Sequence, residues 1–356
     1  MFMRAMENIL IVGAGLTGAV TAALIKKHLP GSCQLTVRST VWEKTDAIGG
    51  RMTTIQNPLD PRCTVDLGAQ YISTEPKNFN ANNSIYEELL NNGLLKPLNG
   101  QIEGDRIWPE GTQHFVSPHG IYSVIEYYLK KAEARLEMKH HLKEIHQENS
   151  HYVVKTSDGT IKAFDGVILT MPVPDILQLE GIIPKILDQR PDVRERLKAV
   201  QYSSRFAMGL YYKPGTIIDV PWVAKYFHSD PVIVFIAADS KKREQEDKDI
   251  GPSLLVHASV QFTLKHIHED VDQVCTEHIL PRVHELLPQL PKSTFITNHL
   301  WQVSQVYKGY EGKPGMLILQ DKPLLMCGGD TFTDSQFNRC LESAELLSRM
   351  VVKNIV

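Results

Sequence analysis

Ile9-Leu10-Ile11-Val12-Gly13-Ala14-Gly15-Leu16-Thr17-Gly18 decides the reading of this chain. A short aliphatic run breaks into Gly-x-Gly-x-x-Gly and enters an alanine-rich stretch that reaches Ile25. That order is the strand, turn and helix of a dinucleotide-binding corner. Gly13 allows the tight turn, Gly15 lets a pyrophosphate approach the backbone, and Gly18 lets the helix close on the strand. Ala14 and Thr17 complete the turn, whose helix start offers free N–H groups and partial positive charge to phosphate.

A lone glycine fingerprint is weak evidence, but here it has company. A second apolar strand, Leu35 to Trp42, ends at Glu43 and Lys44, near the usual acid position about 20 residues beyond the fingerprint. An acid there accepts the hydroxyls of an adenosine ribose. Gly49-Gly50-Arg51 comes next, a second glycine turn with a cation to offset a pyrophosphate. Near the C-terminus Leu324 to Cys327 reads as a buried strand running into Gly328-Gly329-Asp330, where Asp330 suits a ribityl or phosphate-side hydroxyl. A last helix, Leu341 to Asn354, would present its N-terminus to a flavin pyrimidine, where negative charge develops on reduction. Together these features point to FAD.

Further stretches carry a more specific likeness. IVGAGLTG, GGRMTT, DLGAQYI, LTMPVP, QYSSRFAMGL, DVPW, GPSLLVHASV and CGGD occur in this order along nearly the whole chain. In this the chain resembles the renalase family of the flavin amine-oxidase superfamily. The resemblance implies an α/β fold: a Rossmann-type FAD-binding domain of the p-hydroxybenzoate-hydroxylase-like kind, with a second substrate domain on a mostly antiparallel sheet. It implies noncovalent FAD, since no attachment residue of the superfamily is matched. It also implies an oxidase that returns isomeric dihydronicotinamides, the 1,2- and 1,6-dihydro forms of NAD(P), to NAD(P)+ and reduces O2 to H2O2. By family position Ala69, Gln70 and Tyr71 meet the flavin, Leu142 offers a backbone contact to adenine, and Tyr226, Trp301 and His257 line the substrate pocket. Two positions depart from the family: Val234, where relatives often carry arginine, and Arg339, where they often carry a small residue.

The bulk numbers fit such a protein. The chain has 356 residues, enough for two domains. A net charge of −3 argues against nucleic acid or an anionic membrane as main partner. The run Lys241-Lys242-Arg243, trailed by Glu244, Glu246, Asp247 and Asp249, reads as a solvated loop, with a cell-surface partner as the alternative. Five scattered cysteines without Cys-x-x-Cys suggest no disulfide framework and a reducing compartment, and Cys327 reads as core. Met1 to Arg4 and the apolar run to Ile25 also pass for a secretory signal, but cleavage near Ala22 or Ala23 would remove the fingerprint glycines. The family is described as secreted, so both compartments stay open, as does the oligomeric state.

Along the chain, the cofactor domain is expected at 1–76, 117–180 and 314–356, and the substrate domain at 77–116 and 181–313. Expected elements include helices over Ser84–Leu90, Gly120–Lys131, Val193–Val200 and Asp270–Leu287. Strands are expected over Arg135–Ile145, Tyr152–Thr156 and Thr160–Phe164, with a hairpin turn at Ser157-Asp158-Gly159. Val167 to Thr170 reads as a central strand buried on both faces, stopped by Met171-Pro172. Ala207–Tyr212 and Val232–Ala238 suggest an antiparallel sheet.

A hydride donor must lie flat at near-attack distance, so the chemistry asks for a dry pocket with flat walls rather than a proton shuttle. A tyrosine, tryptophan or histidine within a strand is more often core than pocket. The family positions favour Tyr226 and Trp301 as walls and His257 as a polar contact. His140-His141 and His266-x-His268 lack a third ligand at useful spacing, so no metal is assigned. The competing functions are a flavin amine oxidase, which shares the fold, and a signalling or binding protein whose flavin is structural.

Overall fold

The first strand, Asn8–Val12, pairs in parallel with Gly166–Leu169 on one side and Arg38–Trp42 on the other. The computed structural model describes residues 6–355 apart from 246. Residues 1–5 of the signal-like stretch, Glu246 of the charged run and Val356 lie outside the described residues. The chain divides into two units, the first made of residues 1–50, 125–202 and 306–356, the second of 51–124 and 203–305.

The first unit is built on a six-stranded sheet ordered Met316–Gln320, Leu324–Gly328, Gly166–Leu169, Asn8–Val12, Arg38–Trp42, Arg135–Glu137. All pairs are parallel except that of Met316–Gln320 with its neighbour. Gly166–Leu169 is buried throughout, as a central parallel strand with both faces covered must be. Helix Leu16–His28 is buried from Leu16 to Ile25, so the stretch that passes for a signal forms strand and helix in the core of the fold. The last helix, Phe337–Ile355, starts four residues before the expected Leu341. The hairpin is present as His151–Thr156 and Ile161–Phe164, with Gly159 in the left-handed region its turn requires (φ +91°).

The expected single strand Arg135–Ile145 is two. Arg135–Glu137 edges the parallel sheet, and Leu142–Glu148 pairs in a separate four-stranded sheet. Between them Lys139 takes a positive φ of 60°, and the N–H groups of Lys139 and His140 donate to the carbonyls of Thr45 and Glu43. Alternation of apolar residues carries no sign of such a break.

The second unit contains a six-stranded sheet ordered Phe295–Lys308, Gln201–Tyr211, Ser253–Ala258, Ile233–Ala238, Ala224–Tyr226, Ile102–Glu103. Its inner pairs are antiparallel, as expected, and the short edge strand Ile102–Glu103 is parallel. The helix expected over Asp270–Leu287 is present but interrupted: Val271–Val274 and Leu280–Leu286 are α-helical, and Cys275–Ile279 between them is a π-helical turn. Asp270 caps it by accepting the Gln273 N–H at 2.9 Å.

The unit boundaries differ from those expected. Residues 51–76 fall in the second unit because the hairpin Thr54–Asn57/Asp60–Asp66 is tied there by side chains near residue 240. Residues 181–202 fall in the first, because Ile183, Ile186, Leu187, Val193 and Leu197 pack into the core beneath the parallel sheet.

A Cβ on Gly18 would overlap the Gly13 carbonyl oxygen and press on Thr170. Gly18→Ala should therefore cost about 1–3 kcal/mol, read as a lower denaturation midpoint. An unchanged midpoint would mean that the helix can shift off the turn without loss.

Candidate active site

In the first unit the residues singled out by sequence gather at the carboxyl ends of the parallel strands, where open α/β sheets bind ligands. Gly13 comes directly after the first strand with φ +111°, and its N–H donates to the Trp42 carbonyl at 2.8 Å. Beside it Thr170 ends the central strand, its hydroxyl donating to the Val12 carbonyl at 2.9 Å. Gly329 ends the last parallel strand with φ +119°, and a Cβ there would sit 3.7 Å from the Thr170 carbonyl and 3.9 Å from the Thr17 hydroxyl. Asp330 is buried and accepts the Ser335 hydroxyl at 2.6 Å. Glu43 accepts the Ala14 N–H at 3.1 Å through one carboxylate oxygen and Thr45 through the other, which aims it at the turn.

These residues fit a dinucleotide. Helix Leu16–His28 has Gly15 at its N-cap and no side-chain cap, so its first amides are unclaimed by any capping group. Gly15 bridges Gly49, and a Cβ built on Gly15 or on Gly50 would find nothing nearer than 3.9 Å. That is an open, side-chain-free cradle rather than a tightly packed turn. The side chains of two further expected contacts have partners within the protein. Lys44 reaches Asp175 at 3.0 Å with its side chain half exposed, and Leu142 is buried in the core at the start of its strand. Arg339, one of the family departures, is also on the surface, paired with Glu342 at 2.8 Å.

In the second unit the remaining candidates surround the segment 66–71. Ala207, His257, Phe235 and Tyr226 are successive partners across four strands, so their side chains share one face. Tyr226 and Phe235 ring centroids lie 4.8 Å apart, and Phe235 and His257 5.9 Å. The Tyr226 hydroxyl meets that of Tyr71 at 2.8 Å. His257 Nε2 and Trp301 Nε1 both donate to the Leu67 carbonyl, at 3.0 and 3.2 Å. Since a carbonyl only accepts, His257 carries its proton on Nε2 and leaves Nδ1 as an acceptor. Burial brings its pKa down from 6.5 to about 4, so the ring is neutral at physiological pH. Burial also raises the Tyr71 and Tyr226 hydroxyls. Gly68 packs on the Arg51 carbonyl and the Trp301 ring, the Ala69 N–H donates to that same carbonyl at 2.9 Å, and the Arg51 guanidinium donates to the Ser304 carbonyl at 3.3 Å.

Phe235, Arg205 and the burial of the charged run went unread in the sequence. Phe235 completes the aromatic row. Arg205, two residues before Ala207 and so on the same face, donates to the Ala258 carbonyl at 2.8 Å; strand alternation alone would have found it. Val234 is the extra residue of a β-bulge and packs against the same apolar cluster as Tyr226 and Trp301.

The third feature corrects the charged run. Lys242 and Arg243 are not solvated; they are fully buried with Asp66 and Asp239. Lys242 Nζ lies 2.6 Å from Asp239 and 3.3 Å from Asp66, while Arg243 lies 2.9 Å from Asp66 and also pairs with Asp239. Burial alone would raise the Asp66 carboxyl, but Arg243 and Lys242 outweigh it and hold it below the usual carboxylate range. Lys242 also donates to the Gln70 side-chain carbonyl at 3.0 Å. The Gln70 amide then donates to the Asp66 and Gly68 carbonyls, so its side chain is spent on the loop. Only Glu244 onward is exposed among the described residues of the run.

Comparison with known proteins agrees with this construction. Residues 11–89 match the family described as NAD(P)-binding Rossmann-like domain, and residues 102–346 that of flavin containing amine oxidoreductase. The fold and site are thus those of a flavin-dependent oxidoreductase, and the cofactor is FAD. Renalase of Mus musculus is 43% identical over 350 residues, covering 98% of this chain and 100% of the mouse protein, and the chain belongs to the renalase family. A solved structure from Exiguobacterium sp. 255-15, named for protoporphyrinogen oxidase, superposes with a TM-score of 0.72 at 13% identity, covering 98% of this chain and 99% of that one; the likeness is one of fold.

The second unit allows two tests. Lys242→Met leaves a buried carboxylate uncompensated and should cost about 3–5 kcal/mol, measurable by chemical denaturation; a cost under about one kcal/mol would mean water reaches the cluster. His257 has a folded pKa below its unfolded one, so its contribution to stability is complete above about pH 6.5 and is lost as pH falls toward 4. His257→Gln keeps a donor for Leu67 and should flatten the stability profile within that window, which parallel denaturation curves for the two proteins would show.

Proposed function

We propose that the protein oxidises 1,2- and 1,6-dihydro isomers of NAD(P)H to NAD(P)+, with O2 reduced to H2O2. The observation that carries this reading is the face formed by Tyr226, Phe235 and His257, with Trp301 fixed on the same Leu67 carbonyl as His257. Its rings are flat, and His257 and the two tyrosines are held neutral: burial depresses His257 and raises Tyr71 and Tyr226. Such a face orients a planar donor and excludes water, and it offers no group poised to move a proton near pH 7. His257 Nδ1 accepts an N–H, which the carboxamide of a nicotinamide provides. Arg205 places a fixed positive charge on this face, suited to a pyridine nucleotide's phosphates.

Gly13, Gly15, Gly50, Glu43, Gly329 and Asp330 would hold the FAD, whose N5 supplies the hydride acceptor and the route to O2. The membership of a renalase relative in the same family supports the reading. Amine oxidation is the competing reading, favoured by the flavin containing amine oxidoreductase match.

Anaerobic mixing of the FAD-loaded protein with 6-dihydroNAD, NADH and a monoamine separates the two. The isomer alone should bleach the flavin absorbance rapidly; bleaching by the amine alone would transfer the protein to the amine oxidases. Trp301→Ala should slow reduction by the isomer by up to about 10²-fold, the scale of a misplaced reactant, with FAD retained. Unchanged reduction kinetics would remove Trp301 from the substrate face.

A further inference from the structure

His266 is the last residue of helix Val260–His266, which Ser259 caps after the strand that carries His257. Sequence pairs it with His268, which is exposed and has no place in the cluster around His266. The chain instead turns so that the Glu269 N–H donates to the His266 carbonyl at 3.1 Å, and the Glu269 carboxylate meets His266 Nδ1 at 2.9 Å. His278 comes in from the π-helical turn Cys275–Ile279, its ring centroid 5.1 Å from that of His266. The potential ligand atoms of His266, Glu269 and His278 all lie within 4.8 Å of one another.

The third ligand missing from the linear spacing is therefore supplied by the fold. π-helical turns are rare and concentrate at functional positions. Here the turn fixes its buried side, Cys275 and Ile279, in the core while His278 stays exposed beside His266. Phe262 lies 4.5 Å from the His266 ring and 6.1 Å from that of His278, giving both imidazoles an apolar backing. Two imidazoles and one carboxylate form a borderline donor set that suits zinc and its first-row neighbours rather than magnesium or calcium. A tetrahedral zinc with bonds of about 2.1 Å holds its ligand atoms roughly 3.4 Å apart. Closing from 4.8 Å needs only rotamer changes, which the exposed Glu269 and His278 can make.

We propose that His266, Glu269 and His278 form a divalent transition-metal site, with water completing the coordination, that staples the end of helix Val260–His266 to the π turn. The ion replaces the His266–Glu269 hydrogen bond with bonds to both residues. This assignment is independent of the substrate and of the flavin chemistry.

The test uses the full-length, FAD-loaded protein titrated with Zn²⁺ by calorimetry and with Co²⁺ by visible absorption. One saturable site is expected, with tetrahedral Co²⁺ bands displaced by Zn²⁺. His278→Ala and Glu269→Gln should each weaken it by at least about tenfold, the least that loss of a supporting group costs a metal site, while His268→Ala leaves it intact. Zn²⁺ should also raise the melting temperature of the wild type and of His268→Ala, and not that of His278→Ala. These substitutions fall on exposed side chains, so the variants stay folded. Absence of saturable binding overturns the proposal. So does an affinity unchanged in both His278→Ala and Glu269→Gln, which would place the ion elsewhere.

Discussion

Four charges without access to water must neutralise one another, and the second unit is organised around that requirement. Asp66, Asp239, Lys242 and Arg243 carry balanced charge in a space where each would cost several kcal/mol alone. Their mutual contacts tie the end of strand Asp60–Asp66 to the short helix Asp239–Lys242. The chain leaving Asp66 is then clamped by the Gln70 amide, which Lys242 in turn holds. The Leu67 carbonyl sits inside this clamped segment, and His257 and Trp301 take their orientation from it. Apolar residues of the same volume would fill the space equally well, but they would leave Gln70 and that carbonyl undirected.

The first unit solves its problem by omission. Its cradle depends on side chains that are not there: Gly13 and Gly18 close the turn against Thr170, and Gly15, Gly50 and Gly329 leave their peptide edges open. Positive charge comes from helix amides, and among the described residues of this unit no lysine or arginine is buried. One unit is thus fixed by paired charges and the other by missing Cβ atoms.

This contrast also explains what the sequence made legible. The first glycine turn and the central strand were readable because each depends on residues within a few positions, and Glu43 because it stands near the usual distance beyond that turn. The burial of Lys242 was not readable. A Lys-Lys-Arg run beside four acids looks solvated unless one knows that Asp66, 176 positions earlier, lies against it. The break between Glu137 and Leu142 was hidden because its turn is set by hydrogen bonds to Glu43 and Thr45. The placement of residues 51–76 in the second compact unit was hidden for the first of these reasons: motif order groups them with the glycine turns, and long-range ion pairs tie them to Lys242 and Arg243. The His266 group shows the same limit, since His278 approaches only through a π turn that no local pattern announces.

The segmented make-up of the first unit bears on the order in which it is made. Gly166–Leu169 pairs on one side with Asn8–Val12 and on the other with Leu324–Gly328. A chain emerging from the ribosome therefore completes its glycine turn early. The fully apolar middle strand must then wait, one hydrogen-bonding edge bare, for more than a hundred further residues. An unpaired apolar edge is a template for association with other chains. Gly329, which completes the cradle, belongs to the same late stretch. Capacity to hold the dinucleotide and protection of that edge thus arrive together, near the end of synthesis.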